Sequence, residues 1–193
     1  MRIFPTAAAF CMLAAASYAQ SFEASVSGGV SQISNGEIGA LEAGGSQLEL
    51  DSGFRLAFRL TLNPGRFHGY ELGYAYNRTH LTFPGQPSQG MAIHQGFGGA
   101  LLYGTPEGSR IRPFAAGGIH FSNFVPPGAS AQYGQGENKF GFNYGGGIKV
   151  QVSGPWQVRF DVRQYNTGKP FGLPGASGRL LQTEFSAGVG YAM

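Results

Sequence analysis

From Trp156 the chain alternates apolar and polar side chains for eight residues. Trp156, Val158, Phe160 and Val162 fall on one parity, and Gln157, Arg159, Asp161 and Arg163 on the other. Successive side chains of a strand point to opposite faces, so this is a ribbon with one apolar and one charged face. The same pattern recurs seven times more. It sets Phe22, Ala24, Val26 and Val30 against Glu23, Ser25 and Ser27, then Phe54, Leu56, Phe58, Leu60 and Leu62 against Arg55, Arg59 and Asn63. Tyr70, Leu72, Tyr74 and Tyr76 oppose Glu71 and Asn77; Ile93, Phe97, Leu101 and Tyr103 oppose His94 and several glycines, with Gln95 a polar intruder among them. Ile119 and Phe121 oppose Arg112 and His120, and Phe140, Phe142, Tyr144, Ile148 and Val150 oppose Asn143 and Lys149. Leu181, Phe185, Val189, Tyr191 and Met193 oppose Gln182, Glu184 and Ser186. Eight strands are therefore expected.

Their connections alternate in length. Short links rich in Gly and Pro fall at 63–66, 105–108 and 153–155, and long polar links at 34–52, 78–90, 122–138 and 166–178. Gly and Pro suit tight hairpin turns. A meander with short turns at one rim and long loops at the other has the layout of outer-membrane barrels. The fold expected is all-β: an eight-stranded antiparallel up-and-down transmembrane β-barrel.

The two parities say which face meets lipid. The apolar parity of these segments carries no charge. The other carries Glu23, Arg55, Arg59, Glu71, Arg112, Lys149, Arg159, Asp161, Arg163 and Glu184, together with glycines such as Gly73, Gly96, Gly98, Gly118, Gly145, Gly147 and Gly188. Small residues belong where space is tight, which in a narrow barrel is the interior. The ten charged residues are thus expected to form a network plugging the lumen. Trp156, Tyr103 and Tyr191 are expected at the turn-side girdle, and Tyr76, Phe121, Phe124 and Phe140 at the loop side. The alternative is a secreted lipocalin-like binding barrel with its apolar face inward. That arrangement would leave glycines facing water on nearly every strand, which weakens a sheet.

Composition narrows the class. The chain has 193 residues, 33 of them Gly, with aromatics at 13% and charged residues at only 12%. A formal net charge of +3 gives no reason to expect nucleic acid as a partner. Residues 1–19 read as a signal peptide: Arg2, an apolar stretch, then Ser17-Tyr18-Ala19 as a small-x-small cleavage site. The remaining 20–193 form the barrel domain. The one cysteine, Cys11, lies in the leader, so no disulfide and no thiolate metal ligand are expected.

The stretch Arg112-Pro113-Phe114-Ala115-Ala116-Gly117-Gly118 is followed by Phe142-Asn143-Tyr144-Gly145-Gly146-Gly147-Ile148 and by the strand opening on Trp156. Together they resemble the outer-membrane β-barrel domain family of small eight-stranded barrels. The resemblance implies a bacterial outer membrane and the barrel-assembly machinery, with outer-membrane lipid and lipopolysaccharide as surroundings. The chain ends Tyr191-Ala192-Met193, where such chains usually end on an aromatic residue.

His120-Phe121-Ser122-Asn123 is similar to the His-x-Ser-Asn motif of lipid A deacylases, in which a histidine activates a serine. In that family the motif follows the Trp-containing hairpin, where this chain reads Gln164-Tyr165-Asn166-Thr167. No catalytic residue, cofactor or metal site is expected. The reading is a monomeric structural or surface-interaction barrel. Its long loops carry Phe83, Phe124, Val125, Tyr133, Phe171 and Leu173, available either to a surface ligand or to one another.

Overall fold

Among the described residues, ten strands make one antiparallel sheet: β1 (Ser21–Ser34), β2 (Glu37–Gly39), β3 (Leu48–Leu50), β4 (Gly53–Asn63), β5 (His68–Thr82), β6 (Gln89–Tyr103), β7 (Ile111–Val125), β8 (Glu137–Ser153), β9 (Trp156–Gly168) and β10 (Arg179–Ala192). The computed structural model describes residues 21–43, 45–83, 85–131 and 134–193, so the expected leader at 1–19 lies outside the described residues. Eight strands, β1 and β4 to β10, are the staves of a closed barrel. Each pairs with the next stave along the chain, and β1 pairs with β10 to close the ring. The seam ends in a backbone exchange between Phe22 and Met193.

The apolar face is outside. Val26, Phe58, Leu72, Tyr144, Phe160 and Val189 are each between 46% and 55% exposed, whereas the polar positions between them are buried. An interior full of charge under an apolar exterior is stable only where hydrocarbon replaces water. Trp156 meets Tyr191 edge-on at 5.2 Å on the turn-side rim, where an aromatic girdle belongs.

Three expectations need correction. The first is the facing of β6. Ile93, Phe97, Leu101 and Tyr103 point into the barrel and are at most 5% exposed, while Gly96 and Gly98 lie on the outward face. Gln95 decides the register, because inside the lumen its amide meets Arg55, Asn77, Ser122 and Gln182. Facing lipid it would have no such partners, and an unpaired amide in hydrocarbon is costly. Apolar side chains cost nothing on either face. A slip by one residue would reverse every one of them.

The second concerns the girdles. Tyr103 and Phe124 face inward and are buried. The third concerns the loops. Four staves run well past the ~9–11 residues a bilayer requires: β5, β6 and β7 have 15 residues each and β8 has 17. The links expected at 78–90, 122–138 and 166–178 shrink to 83–88, 126–136 and 169–178. The link at 34–52 holds the hairpin β2–β3, whose Leu50 pairs with Leu81 to extend the wall at β5.

Candidate functional site

The ten charged residues singled out by parity all lie in the lumen, and all are buried. They come from seven staves, and registers between staves bring distant residues to one level. At the turn-side end Glu23 gathers Lys149, Gln157 at 2.8 Å and Asn63 at 2.7 Å, with Arg112 at 3.8 Å. Tyr103 closes this level: its hydroxyl donates to Asn63 at 2.9 Å and accepts from Lys149 at 2.9 Å. The Arg112 guanidinium lies 3.7 Å over the Tyr103 ring.

The next level is built on two acids. Glu71 receives Arg159 and Arg163, each at 2.7 Å. Asp161 receives Arg159 in a two-pronged contact at 2.6 and 2.9 Å and also Arg163 at 3.2 Å. Such paired N–H···O contacts fix the guanidinium plane as well as its position. Above them Glu184 takes Arg55 at 3.0 Å, Arg59, the Tyr165 hydroxyl at 3.1 Å and Ser186 at 2.5 Å. Phe97 meets Tyr165 edge-on at 6.1 Å, and Gly73 leaves the room that its ring occupies.

Then the lumen changes character. An amide layer of Asn77, Gln95 and Gln182 hands over to a wholly apolar cluster at the loop end. Ile38, Leu48, Leu50, Leu81, Met91, Ile93, Phe124 and Leu180 form it, and Ile33, Phe83, Phe171 and Leu173 pack on it. The Ala40 amide donates to the Pro174 carbonyl at 2.9 Å, joining the first and last loops above the cluster. Phe171 sits at φ 68°, unusual for an aromatic residue, and its amide donates to the Glu137 carboxylate. Of the loop residues noted in the sequence, Phe83, Phe124, Phe171 and Leu173 therefore pack on one another, and Tyr133 lies outside the described residues.

His120 and Ser122 both face inward and are buried, but they do not pair. His120 Nε2 bonds Thr167 at 2.7 Å, and Ser122 accepts from Gln95 at 2.9 Å. No group of metal-ligating side chains occurs among the described residues. Asn63 and Gln157 stand on the inward parity already read from the sequence, whereas Tyr103, Tyr165 and Gln95 were not assigned to the lumen. Of these three only Gln95 left a signal, as the odd polar residue in an apolar series.

The family model described as the outer membrane protein beta-barrel domain matches residues 4–192. The chain belongs to this family. It is an outer-membrane β-barrel. Neisserial surface protein A superposes with a TM-score of 0.61 at 14% identity, covering 88% of this chain and 96% of that one. The outer membrane protein OprG of Pseudomonas aeruginosa gives a TM-score of 0.59 at 15% identity, covering 89% and 95%. The N-terminal barrel domain of OprF from the same organism gives 0.56 at 12%, covering 91% and 98%. These likenesses establish the fold. No curated protein matches the chain by sequence at a significant level.

Proposed function

We propose that this outer-membrane barrel is a closed structural element that meets other molecules at its loops and wall, and is neither an open pore nor an enzyme. The observation that carries this reading is the doubly filled lumen. Five charged side chains, Arg59, Glu71, Arg159, Arg163 and Glu184, cross its middle, and twelve apolar residues block its loop end. An eight-stranded barrel has just enough width for its inward side chains, whereas aqueous channels need about 16–18 strands. Against a hydrolase stands the geometry of His120 and Ser122, which are bonded to Thr167 and Gln95 inside the closed barrel.

Planar-bilayer recording of the purified chain tests this. The expected result is a bare baseline with rare, small openings. A steady, large, weakly selective conductance from the monomer overturns the closed reading.

A further inference from the structure

The lipid-facing wall is uneven. At β6 it presents Gly96 and Gly98, while the neighbouring staves raise Leu72 and Tyr74 on one side and Ile119 and Phe121 on the other. Between them runs a trench of about 510 Å³, bounded further by Phe58 and Phe140. This is within the range of ligand sites, and its lining is apolar. Its floor at Gly98 is open, since the nearest atoms to a Cβ placed there would be 3.7 Å away.

Toward the loops the wall becomes polar in a definite order. Along the β5–β6 pair, Leu72 lies opposite Gly98, Tyr74 opposite Gly96, Tyr76 opposite His94 and Arg78 opposite Ala92. The Tyr74 hydroxyl and His94 Nδ1 are 2.5 Å apart on the outer surface, and the edge of Tyr76 meets the imidazole at 5.3 Å. Arg78 is exposed, and its guanidinium covers Gly90. It has no ion-pair partner among the described residues.

Length and side then select an occupant. The six-residue step on β5 from Leu72 to Arg78 spans roughly 20 Å at ~3.3 Å per residue. With a strand tilt near 45° that is about 15 Å of depth, half the hydrocarbon core of a bilayer. The cation stands at the loop end, which in outer-membrane barrels faces outside. The apolar trench, the aromatic and imidazole rings and the guanidinium therefore run in the order of acyl chain, sugar and phosphate in an outer-leaflet lipid. We propose that the trench binds one molecule of the phosphorylated, acylated glycolipid of that leaflet, lipid A. One acyl chain lies over Gly98 and along the Phe121 ring that covers Gly96, the sugar lies against Tyr76 and His94, and Arg78 takes the phosphate. This site is on the outer wall and is independent of whether the lumen conducts.

Native mass spectrometry of the full purified chain measures the affinity for three probes: bisphosphorylated lipid A, dephosphorylated lipid A and phosphatidylglycerol. Lipid A should outcompete phosphatidylglycerol. Arg78→Gln should weaken bisphosphorylated lipid A roughly five- to tenfold, as expected for one charge-assisted contact, while leaving the dephosphorylated form unchanged. Gly98→Leu should fill the trench and weaken both forms. Gly117→Leu, at a lipid-facing glycine with open space outside the trench, should change neither. Heat-modifiable migration scores folding, and the exposed Arg78→Gln keeps the test decisive if Gly98→Leu does not fold. Undiminished lipid A binding by Arg78→Gln, an equal loss in Gly117→Leu, or phosphatidylglycerol held as tightly as lipid A each overturns the proposal.

Discussion

The two ends of the lumen fill the same bore by opposite means. The turn-side and middle levels hold six cations and four carboxylates, all buried, with each carboxylate in contact with at least two of the cations. The loop-side level is dominated by an apolar cluster of eight buried side chains, three of which, Ile38, Leu48 and Leu50, come from the β2–β3 hairpin. In the middle, neighbouring staves are far from any loop, and the inward groups pair along one stave, as Arg159 and Arg163 do with Asp161, or with another stave, as Arg159 does with Glu71. At the loop end, β2–β3 and the last loop fold back and supply apolar area, so burial resembles a soluble core. A charged filling depends on partners and loses heavily when one is removed. An apolar filling depends on volume and tolerates gradual loss.

That contrast can be broken by experiment. The largest effect should come from Glu184→Ala, which leaves Arg55 and Arg59 buried without their shared carboxylate. Loss of one partner of a buried ion pair costs about 3–5 kcal/mol. Reversible urea unfolding in lipid vesicles measures it, and a loss near zero would mean that water or neighbouring groups serve the two guanidiniums equally well. The triple replacement Arg55→Met, Arg59→Met, Glu184→Leu sharpens the point: with the charges gone together it should recover most of that loss.

Next in size is Phe58→Arg, which puts a cation on the apolar exterior. It should cost roughly 2–4 kcal/mol if the site is near the bilayer midplane. Arg59, one residue away, is fully buried and paired, so the comparison isolates the face of the wall from the residue type. Leu50→Ala, in the apolar end, should cost about 2 kcal/mol, at the low end for a buried leucine because the hairpin can settle into the space. Its mark should be local, with faster proteolysis between β2 and β3 and unchanged heat-modifiable migration. Glu42→Ala, at an exposed position in the same hairpin, should stay within about 0.5 kcal/mol in the urea measurement.

The legibility of the chain follows the same division. Lipid accepts no charge, so the outward faces of seven staves stood out by alternation alone. The lumen accepts charge, amide or hydrocarbon, provided that it is filled and paired, and therefore imposes no single pattern. Thus β6, apolar inside and glycine-rich outside, read the wrong way round, and Gln95 was the one residue that carried its true facing. The membership of the charged set could be read from parity. Its pairings could not, because Glu23 and Lys149 stand 126 positions apart and meet only through the stagger of the staves. Strands β2 and β3, three residues each, are too short for any period to show.

The seam between β1 and β10 has a consequence in time. Glu184 is carried on β10, the stave that completes the ring, whereas Arg55 and Arg59 stand on β4, on the far side of β1. Until the seam shuts, those two cations have no shared carboxylate, and the partly assembled barrel carries an electrostatic penalty that closure abolishes. Pairing residues so distant in sequence is entropically expensive, and delays folding until most of the chain is arranged. Closure therefore acts as a latch: the event that removes the last open sheet edges also neutralises the interior, so a half-closed ring has little to hold it there.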